Sequence, residues 1–265
     1  MSACDLAGVG VLVTRPVEQA QSLAAAIRHV GGVPTVFPGV EIEPLTSAAG
    51  TSLPNRKADI DLLVFVSPTS VRLGLPMLID KYGAVDQLRV AAVGPSTAAA
   101  LKKCGLSEII TPTEASGSEA LADSSGLSQV AGWSVLVVRG EGGSDILESI
   151  LKSRGARVSF LECYRRRLPH TPFSSVEQLF RSGRIGAWMA TSGEILDNLF
   201  FLAGEHGGLL RDTPLFVNHP HVAVRGFSHT VEVIFVTRGG DQGLADGLLT
   251  WFGELRGLAP SSELK

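Results

Sequence analysis

The sequence has little charge and no excess of one sign. Only 18% of its 265 residues are charged, whereas 45% are hydrophobic and the mean hydropathy is +0.24. A chain this apolar buries a core and does not stay disordered. Lys and Arg number 23 against 26 Asp and Glu, which gives a net charge of −3. Because no basic excess is available to neutralise phosphates, we expect no nucleic-acid partner.

Long apolar runs and cysteine clusters are also missing. The apolar run at residues 6–13 is followed by Arg15 and is not preceded by a cationic segment, so we expect neither a signal peptide nor a membrane span. The cysteines are odd in number, far apart and at no zinc-binding spacing: Cys4, Cys104 and Cys163. We therefore expect reduced thiols in a cytoplasmic protein.

The chain contains an internal repeat. The segment VLV at 11–13, followed by Arg15, recurs 124 positions later at 135–137, followed by Arg139. At the same offset, FVSP at 65–68 aligns with MATS at 189–192. A shared offset over two separate stretches predicts two related lobes.

Each repeat begins with the pattern of a strand that leads into a helix. VLVT at 11–14 precedes Pro16, which we place at the first helical position, and Gly31 is predicted to end the helix. The apolar face of that helix comprises Ala20, Leu23, Ala24 and Ile27. The copy has VLVV at 135–138 and an apolar helical pattern that ends at Gly155. Wholly apolar strands that alternate with helices are typical of buried parallel sheets.

Polar turns follow the predicted strands. They are rich in Thr, Ser, Gly, Asn and Pro, and Glu141 is the one acidic residue among them. The turns lie at 14–16, 66–69, 93–97, 139–144, 190–193 and 217–220. Ligands of parallel α/β sheets bind at the carboxyl ends of the strands, and free N–H groups at helix starts favour anions. The pattern predicts a ligand that carries many negative groups.

Two segments have weak cofactor signals. RGEGGS at 139–144 lacks the Lys-Ser/Thr ending of a P-loop and the third glycine of a dinucleotide fingerprint, which favours a tight turn. His219 and His221 offer two imidazoles, but no third ligand stands at a supporting spacing. We expect neither a metal nor an organic cofactor. Composition alone leaves Tyr164 equally a packing residue or a chemical one.

Several segments, in this order, resemble the uroporphyrinogen-III synthase family. They are VLVTRP through GGVPTVFPGVEIEPL (11–45), LLVFVSPTSV (62–71), VAAVGPSTAAALKKCG (90–105), VLVVRGEGG through RGARVSFLECYRRRLP (135–169), WMATSGEILDNL (188–199) and PLFVNHP (214–220). The match runs almost end to end. No single motif is unique to the family, whereas the ensemble is specific.

The resemblance implies an α/β fold with two flavodoxin-like three-layer lobes, each with a parallel sheet. Residues 1–41 and 170–265 would form the first, discontinuous lobe, and residues 42–169 the second. A two-stranded linker would join them through VEIEPL at 40–45 and ECYRRRLP at 162–169.

The resemblance also implies an activity. The family, whose members are hydro-lyases, cyclises and dehydrates hydroxymethylbilane, a linear octacarboxylate, to uroporphyrinogen III in tetrapyrrole (heme, siroheme and cobalamin) biosynthesis. Ring D is inverted through a spirocyclic intermediate. We expect a monomer that binds this small molecule, without a membrane partner.

By family match, Tyr164 is the catalytic residue that assists the leaving oxygen. The residues that match the cleft-lining turns, and would bind substrate carboxylates, are Thr14, Arg15, Ser67, Thr69, Ser96, Thr97, Arg139, Gly140, Thr191, Ser192 and His219.

The sequence departs from the repeat at one turn. NHPHV at 218–222 stands where the first copy has GPSTA, and no glycine falls where the following helix should end before VEVIFV. The role of His219 and the geometry of residues 220–231 stay open at this point. The alternative function is a non-catalytic two-lobed binding protein for a polyanionic small molecule.

Overall fold

The computed structural model describes residues 5–45, 53–112 and 117–255. The chain divides into two compact units. Unit 1 comprises Met1–Glu41 and Arg167–Lys265, and unit 2 comprises Ile42–Arg166. Unit 1 is therefore built from both ends of the chain, and unit 2 from its middle.

Strands and helices alternate along most of the chain. The strands are β1 (Gly10–Val13), β2 (Val33–Val36), β3 (Glu41–Pro44), β4 (Leu62–Phe65), β5 (Arg89–Ala92), β6 (Ile109–Ile110), β7 (Ser134–Gly140), β8 (Arg157–Arg167), β9 (Ala187–Ala190), β10 (Leu215–Val217) and β11 (Ile234–Val236). The α-helices are α1 (Val17–His29), α2 (Pro68–Tyr82), α3 (Pro95–Lys103), α4 (Ser118–Ala122), α5 (Ile146–Ser153), α6 (Ser174–Arg181), α7 (Gly193–Ala203), α8 (Gly207–Arg211), α9 (Pro220–Ser228) and α10 (Gly240–Leu255). Short 3-10 helices lie at Lys57–Asp59, Ser125–Leu127 and Gly204–His206. Among the described residues, no helix is both long and apolar enough to cross a membrane.

The two units share one strand order. The sheet of unit 1 has the order β11-β10-β9-β1-β2, and its neighbours pair in parallel. Unit 2 has the order β3-β8-β7-β4-β5-β6, with parallel pairing from β8 to β6. At the offset of the repeat, β1, β2, β9, β10 and β11 correspond to β7, β8, β4, β5 and β6. Both sheets then follow the flavodoxin order 2-1-3-4-5, so the predicted α/β fold class with parallel sheets is confirmed.

In unit 2, helices cover both faces of the sheet because the strand residues alternate. Leu63 and Phe65 pack with α2 and α3, whereas Leu62 and Val64 pack with α4 and α5. All four side chains are fully buried. Two buried faces explain why β4 is apolar at every position.

Unit 1 has the same layers. Val11 and Val13 of β1 pack with α1 and α10. On the opposite side, the fully buried Trp188 of β9 packs against Phe200 of α7, with ring centroids 6.1 Å apart. The Trp188 indole N–H donates to the carbonyl oxygens of Leu210 and Thr213 at 3.1 and 3.0 Å, which satisfies the one polar group of this side chain.

Helix α1 has the predicted apolar face. Its buried residues are Ala20, Leu23, Ala24 and Ile27. The helix begins at Val17, so Pro16 is the N-cap residue and not the first helical residue. Gly31, with φ +79°, follows the end of the helix as predicted.

Helix α9 ends without the glycine that the other copy uses. Thr230 takes the left-handed conformation, with φ +59°. At the corresponding position after α3, Gly105 has φ +90°. A β-branched residue is unfavourable in this region. The fold therefore retains the left-handed turn where the sequence lacks glycine.

We predict that Thr230→Gly stabilises the protein. Removing Cβ relieves the strain of the left-handed conformation, whereas glycine makes the unfolded chain more flexible and so opposes folding. The net gain in the free energy of unfolding is about 0.5–1 kcal/mol. The measurement is the free energy of unfolding in urea. The matched control is Gly105→Thr, whose Cβ would meet no atom within 4 Å and which should destabilise the protein by about 1 kcal/mol or more. A Thr230→Gly variant that is less stable than the parent would contradict this account.

Candidate functional site

The predicted site residues lie at the carboxyl edge of each sheet, within their own unit. In unit 2 they follow β4 and β5, are the last two residues of β7 or lie late in β8: Ser67, Thr69, Ser96, Thr97, Arg139, Gly140 and Tyr164. In unit 1 they follow β1, β9 and β10: Thr14, Arg15, Thr191, Ser192 and His219. This edge is where parallel α/β sheets bind ligands.

Two hydroxyl groups meet at the edge of unit 2. The Tyr164 hydroxyl lies 3.2 Å from Ser67 Oγ. Ser67 is the N-cap of α2, and its Oγ accepts the backbone N–H of Ser70 at 3.0 Å. In return, Ser70 Oγ accepts the N–H of Ser67 at 3.1 Å, which completes a capping box. The tyrosine is therefore anchored to a well-defined helix terminus.

A β-bulge directs Tyr164 toward α2. In the β7–β8 ladder Arg139 pairs with Glu162, but the next residue, Gly140, pairs with Tyr164, so Cys163 is the extra residue. Cys163 and Tyr164 are consecutive and both buried, at 1% and 6% exposure, and both belong to the cluster around α2. Regular alternation would place Tyr164 on the same face as Glu162. The bulge thus moves the ring to the opposite face.

Gly140 makes room for the tyrosine ring. A Cβ at this position would lie 2.6 Å from Cε2 and 2.7 Å from Cζ of Tyr164. Real Cβ atoms do not approach so closely, so a side chain here would displace the ring. The requirement for glycine at 140 follows from ring packing and not from a phosphate-binding loop.

Arg139 is fully engaged inside unit 2. Its guanidinium donates to Glu162 at 3.2 Å, to Asp145 at 3.0 Å and to the carbonyl oxygen of Gly143 at 3.2 Å. It also lies over the Phe160 ring, 3.7 Å from the centroid. With its side chain only 11% exposed, Arg139 fixes the glycine-rich turn by charge and by stacking.

The start of α3 offers uncapped N–H groups. Gly94 is its N-cap, so no side chain caps the helix. Pro95 occupies the first helical position, and Ser96 and Thr97 follow it. Thr97 is buried and Ser96 is exposed. The first turn of α2 has the same pattern, because Thr69 is buried and Pro68 is exposed. The N–H groups of Ser96 and Thr97 suit an anionic group.

In unit 1, Thr14 and Arg15 both have protein partners. Thr14 is 1% exposed, and its hydroxyl donates to the carbonyl oxygen of Met189. The Arg15 guanidinium pairs with Asp241 in the first turn of α10. The side chains of this ion pair are 16% and 26% exposed. The pair ties the turn after β1 to α10.

The remaining residues of unit 1 lie at helix starts. Ser192 caps α7, and its Oγ accepts the N–H of Ile195 at 3.3 Å, while Thr191 precedes it and is partly exposed. His219 is exposed and caps α9, where its Nδ1 accepts the N–H of His221 at 3.4 Å. Here an imidazole stands where serine, threonine, aspartate or asparagine usually caps a helix.

An ion-pair cluster joins α7 to α9. Arg225 donates two hydrogen bonds to Asp197, at 2.6 and 2.8 Å, and His229 Nε2 lies 2.8 Å from the same carboxylate. The hydrogen bond from Arg225 is the main cause that holds the pKa of Asp197 below its usual value. The cluster fixes the two helices whose starts carry Ser192 and His219.

Sequence reasoning missed the acidic partners of both arginines. Asp241 is far from Arg15 in the chain, and Glu162 acts from a neighbouring strand. The Arg139–Glu162 pair could have been predicted from the pairing of β7 with β8, in which the two residues are cross-strand partners. In the described ranges, no three His, Cys, Asp or Glu side chains are grouped closely enough to hold a metal ion.

Together the fold and these edges define a two-unit α/β protein of the flavodoxin-like class, with polar turns and helix starts at the carboxyl ends of its strands. Comparison with known proteins then identifies the family. Residues 21–237 match the family model described as uroporphyrinogen-III synthase HemD. The chain belongs to the uroporphyrinogen-III synthase family.

Individual relatives agree with this assignment. The chain is 30% identical to uroporphyrinogen-III synthase of Escherichia coli K12 and 32% identical to that of Salmonella typhimurium LT2. Each match covers 201 residues, 73% of this chain and 80% of the relative. The solved structure of a mutant uroporphyrinogen III synthase from Thermus thermophilus is similar with a TM-score of 0.57 at 20% identity, and that of uroporphyrinogen-III synthetase from Helicobacter pylori with a TM-score of 0.61 at 13% identity. Both matches cover 94% of this chain and 100% of the other, and at these identities they support the fold alone.

We predict that Gly140→Ala destabilises the protein by about 1–3 kcal/mol, because the new methyl group overlaps the Tyr164 ring. Urea unfolding measures the loss. Gly193→Ala is the matched control at the corresponding edge of unit 1, since its Cβ would meet Arg225 Cγ at an ordinary 3.6 Å. Equal stabilities of the two variants would show that the ring does not pack on Gly140.

The two cysteines in the described ranges should differ in reactivity. Cys104 is exposed and Cys163 is buried, and both are free thiols. Cys4 lies outside the described residues. Burial raises the pKa of the Cys163 thiol to about 12, so at neutral pH it is protonated as well as inaccessible. Peptide mapping by mass spectrometry after iodoacetamide treatment should find Cys104 modified in native protein and Cys163 modified only after unfolding. Rapid modification of Cys163 in native protein would contradict the packing of β8 under α2.

Proposed function

We propose that this protein converts hydroxymethylbilane to uroporphyrinogen III, with inversion of ring D, as a step of tetrapyrrole biosynthesis. The observation that carries the proposal is the Tyr164–Ser67 hydroxyl pair at a ligand-binding sheet edge, in a chain that belongs to this enzyme family. The enzyme class is a hydro-lyase, because the reaction expels water. We also propose that the two lobes are residues 1–41 with 170–265 and residues 42–169, and that the protein acts as a cytoplasmic monomer.

The reaction needs one proton donor and close control of geometry. Tyr164 supplies the proton for the hydroxymethyl oxygen, which leaves as water when the C–O bond breaks. The pyrrole nitrogen of the substrate stabilises the resulting azafulvene cation. Ring D attacks through its substituted carbon, and the spirocyclic intermediate fragments and recloses with the ring inverted. The nucleophile belongs to the substrate, so the protein needs no nucleophilic side chain.

Orientation is the larger contribution of the protein. Holding the substituted carbon of ring D against the electrophile contributes about 7–11 kcal/mol, whereas proton transfer contributes roughly 10²–10⁴-fold in rate. Rigid supports suit this task. The bulge, Gly140 and the α2 cap fix Tyr164 from three sides.

Carboxylates of the substrate bind mainly to uncharged donors. The uncapped start of α3, with Ser96 and Thr97, supplies backbone N–H groups and one exposed hydroxyl. In unit 1, Thr191, Ser192 and His219 occupy the starts of α7 and α9. Each helix start contributes about 0.3–1 kcal/mol for an anion at an exposed position, and several together give useful affinity.

Arg15 and Arg139 act through the turns that they hold. Both already pair with protein carboxylates, and Arg139 has little exposed surface. Their proposed contribution to substrate binding is therefore the ordering of the turns after β1 and β7, with Thr14 and Gly140 beside them. No metal or organic cofactor enters the proposed reaction.

We predict that Tyr164→Phe slows single turnover by roughly 10-fold to 10³-fold while the product remains the type III isomer. The hydroxyl supplies the proton, whereas many turn contacts set the orientation of ring D. The measurement is the rate of conversion of hydroxymethylbilane and the ratio of type III to type I product, with wild-type protein tested first.

Tyr82→Phe is the matched control, because Tyr82 is the other tyrosine of the chain and its hydroxyl donates to the carbonyl oxygen of Pro54 at 2.5 Å, at the opposite end of α2. Its turnover should stay unchanged. An undiminished rate in Tyr164→Phe would remove the hydroxyl from the mechanism. Wild-type protein that binds hydroxymethylbilane but forms no type III product would instead support the non-catalytic binding protein.

A further inference from the structure

The hydrogen bonds at Ser67 leave one proton unassigned. A serine hydroxyl has one proton and two lone pairs. One lone pair of Ser67 Oγ accepts the N–H of Ser70, and the Tyr164 hydroxyl lies 3.2 Å from the same oxygen. Within the described part of the chain, neither the Ser67 nor the Tyr164 hydroxyl has a further hydrogen-bond partner.

Burial decides which hydroxyl donates. Tyr164 is only 6% exposed, and a buried O–H group without an acceptor is costly. If Ser67 donated to Tyr164, the phenol proton would lack a described acceptor. When Tyr164 donates, Ser67 Oγ accepts twice and its own proton points away from both partners. Ser67 is partly exposed and the adjacent Pro68 is exposed, so this proton can face a bound substrate.

We propose that Ser67 is a further catalytic residue, which contacts the leaving oxygen and relays the proton of Tyr164. The inference rests on the proposed function. The Ser67 Oγ–H bond breaks as its proton passes to the hydroxymethyl oxygen, and the Tyr164 proton moves to Ser67 Oγ. The C–O bond then breaks with its electron pair on the departing water, which leaves an azafulvene cation and a phenolate. The proton that the pyrrole carbon releases after ring closure returns through Ser67 to Tyr164.

The test must separate this role from the helix cap. Ser67→Gly removes the hydroxyl but retains most of the stabilisation of an N-cap, because glycine is tolerated there. Ser67→Thr keeps the hydroxyl and the cap. Ser70→Ala removes the other half of the capping box while the backbone N–H of residue 70 remains. It is therefore the control for a purely structural effect.

The kinetic experiment is a double-mutant cycle in single turnover. Ser67→Gly should slow the reaction by roughly 10-fold to 10³-fold, similar to Tyr164→Phe, and the product should stay type III. Because the two hydroxyls act in series, the double variant should be no slower than the slower single variant, within about threefold. Ser67→Thr, which keeps the hydroxyl, should react faster than Ser67→Gly, whereas Ser70→Ala should stay within about threefold of wild type.

Two results would overturn the relay. Effects of Ser67→Gly and Tyr164→Phe that multiply in the double variant would show independent roles. A Ser67→Gly rate near wild type, with Tyr164→Phe still slow, would show that Tyr164 contacts the leaving oxygen itself.

An activity-independent measurement tests the hydrogen bond alone. The chain has two tyrosines, so tyrosine labelled with ¹³C at Cζ gives two NMR signals, assigned with Tyr164→Phe and Tyr82→Phe. Ser67→Gly should shift the Tyr164 signal and leave the Tyr82 signal in place. An unmoved Tyr164 signal would overturn the relay even if wild-type protein forms uroporphyrinogen III. Wild-type protein that forms no type III isomer would overturn the proposed function and the relay with it. In that case the NMR measurement would still show whether the Tyr164 and Ser67 hydroxyls are hydrogen-bonded.

Discussion

Parallel pairing places the carboxyl ends of all strands in a sheet at one edge, and the polar groups of each unit depend on that arrangement. Strands that are apolar on both faces are covered by helices on both sides, so the polar groups of the site gather at the strand ends and in the turns that follow. In unit 2, one extra residue in β8 then adjusts this geometry. The bulge at Cys163 turns Tyr164 onto the face of α2, and the ring fits there because residue 140 has no side chain.

At the carboxyl edges of the two sheets, the arginines Arg15 and Arg139 are engaged in ion pairs. Arg15 follows β1 and Arg139 lies at the end of β7, at equivalent positions of the repeat, and each has an acidic partner inside its unit. Their charges are thereby used to hold turns in place. For the proposed anionic ligand, the described helix starts offer backbone N–H groups and hydroxyls, whose directions are fixed by the helices that carry them.

The sequence was sufficient for those features that depend on local pattern. The repeat predicted two related lobes, and the apolar spacing of α1 predicted its buried face at Ala20, Leu23, Ala24 and Ile27. The site residues were located at strand ends for the same reason. The bulge was not predictable, because the amino-acid sequence around Cys163 does not distinguish an unpaired bulge residue from a regularly paired strand residue. The partnership of Arg15 with Asp241 joins residues far apart in the chain, and Thr230 occupies a conformation that its side chain disfavours.

The division of unit 1 between the two ends of the chain has a consequence for synthesis. Strands β4 to β7 and all but one residue each of β3 and β8 lie in Ile42–Arg166, so this unit can close while the rest of the chain is still being made. Strand β1 must wait, because it lies between β2 and β9 and Val11 pairs with Ala187. Until β9 emerges, the apolar faces of β1 and α1 are only partly covered. The ribosome-bound chain therefore carries a folded middle segment and an incomplete amino-terminal one. Unit 1 folds later, because pairing β1 with β9 closes a long loop of the chain.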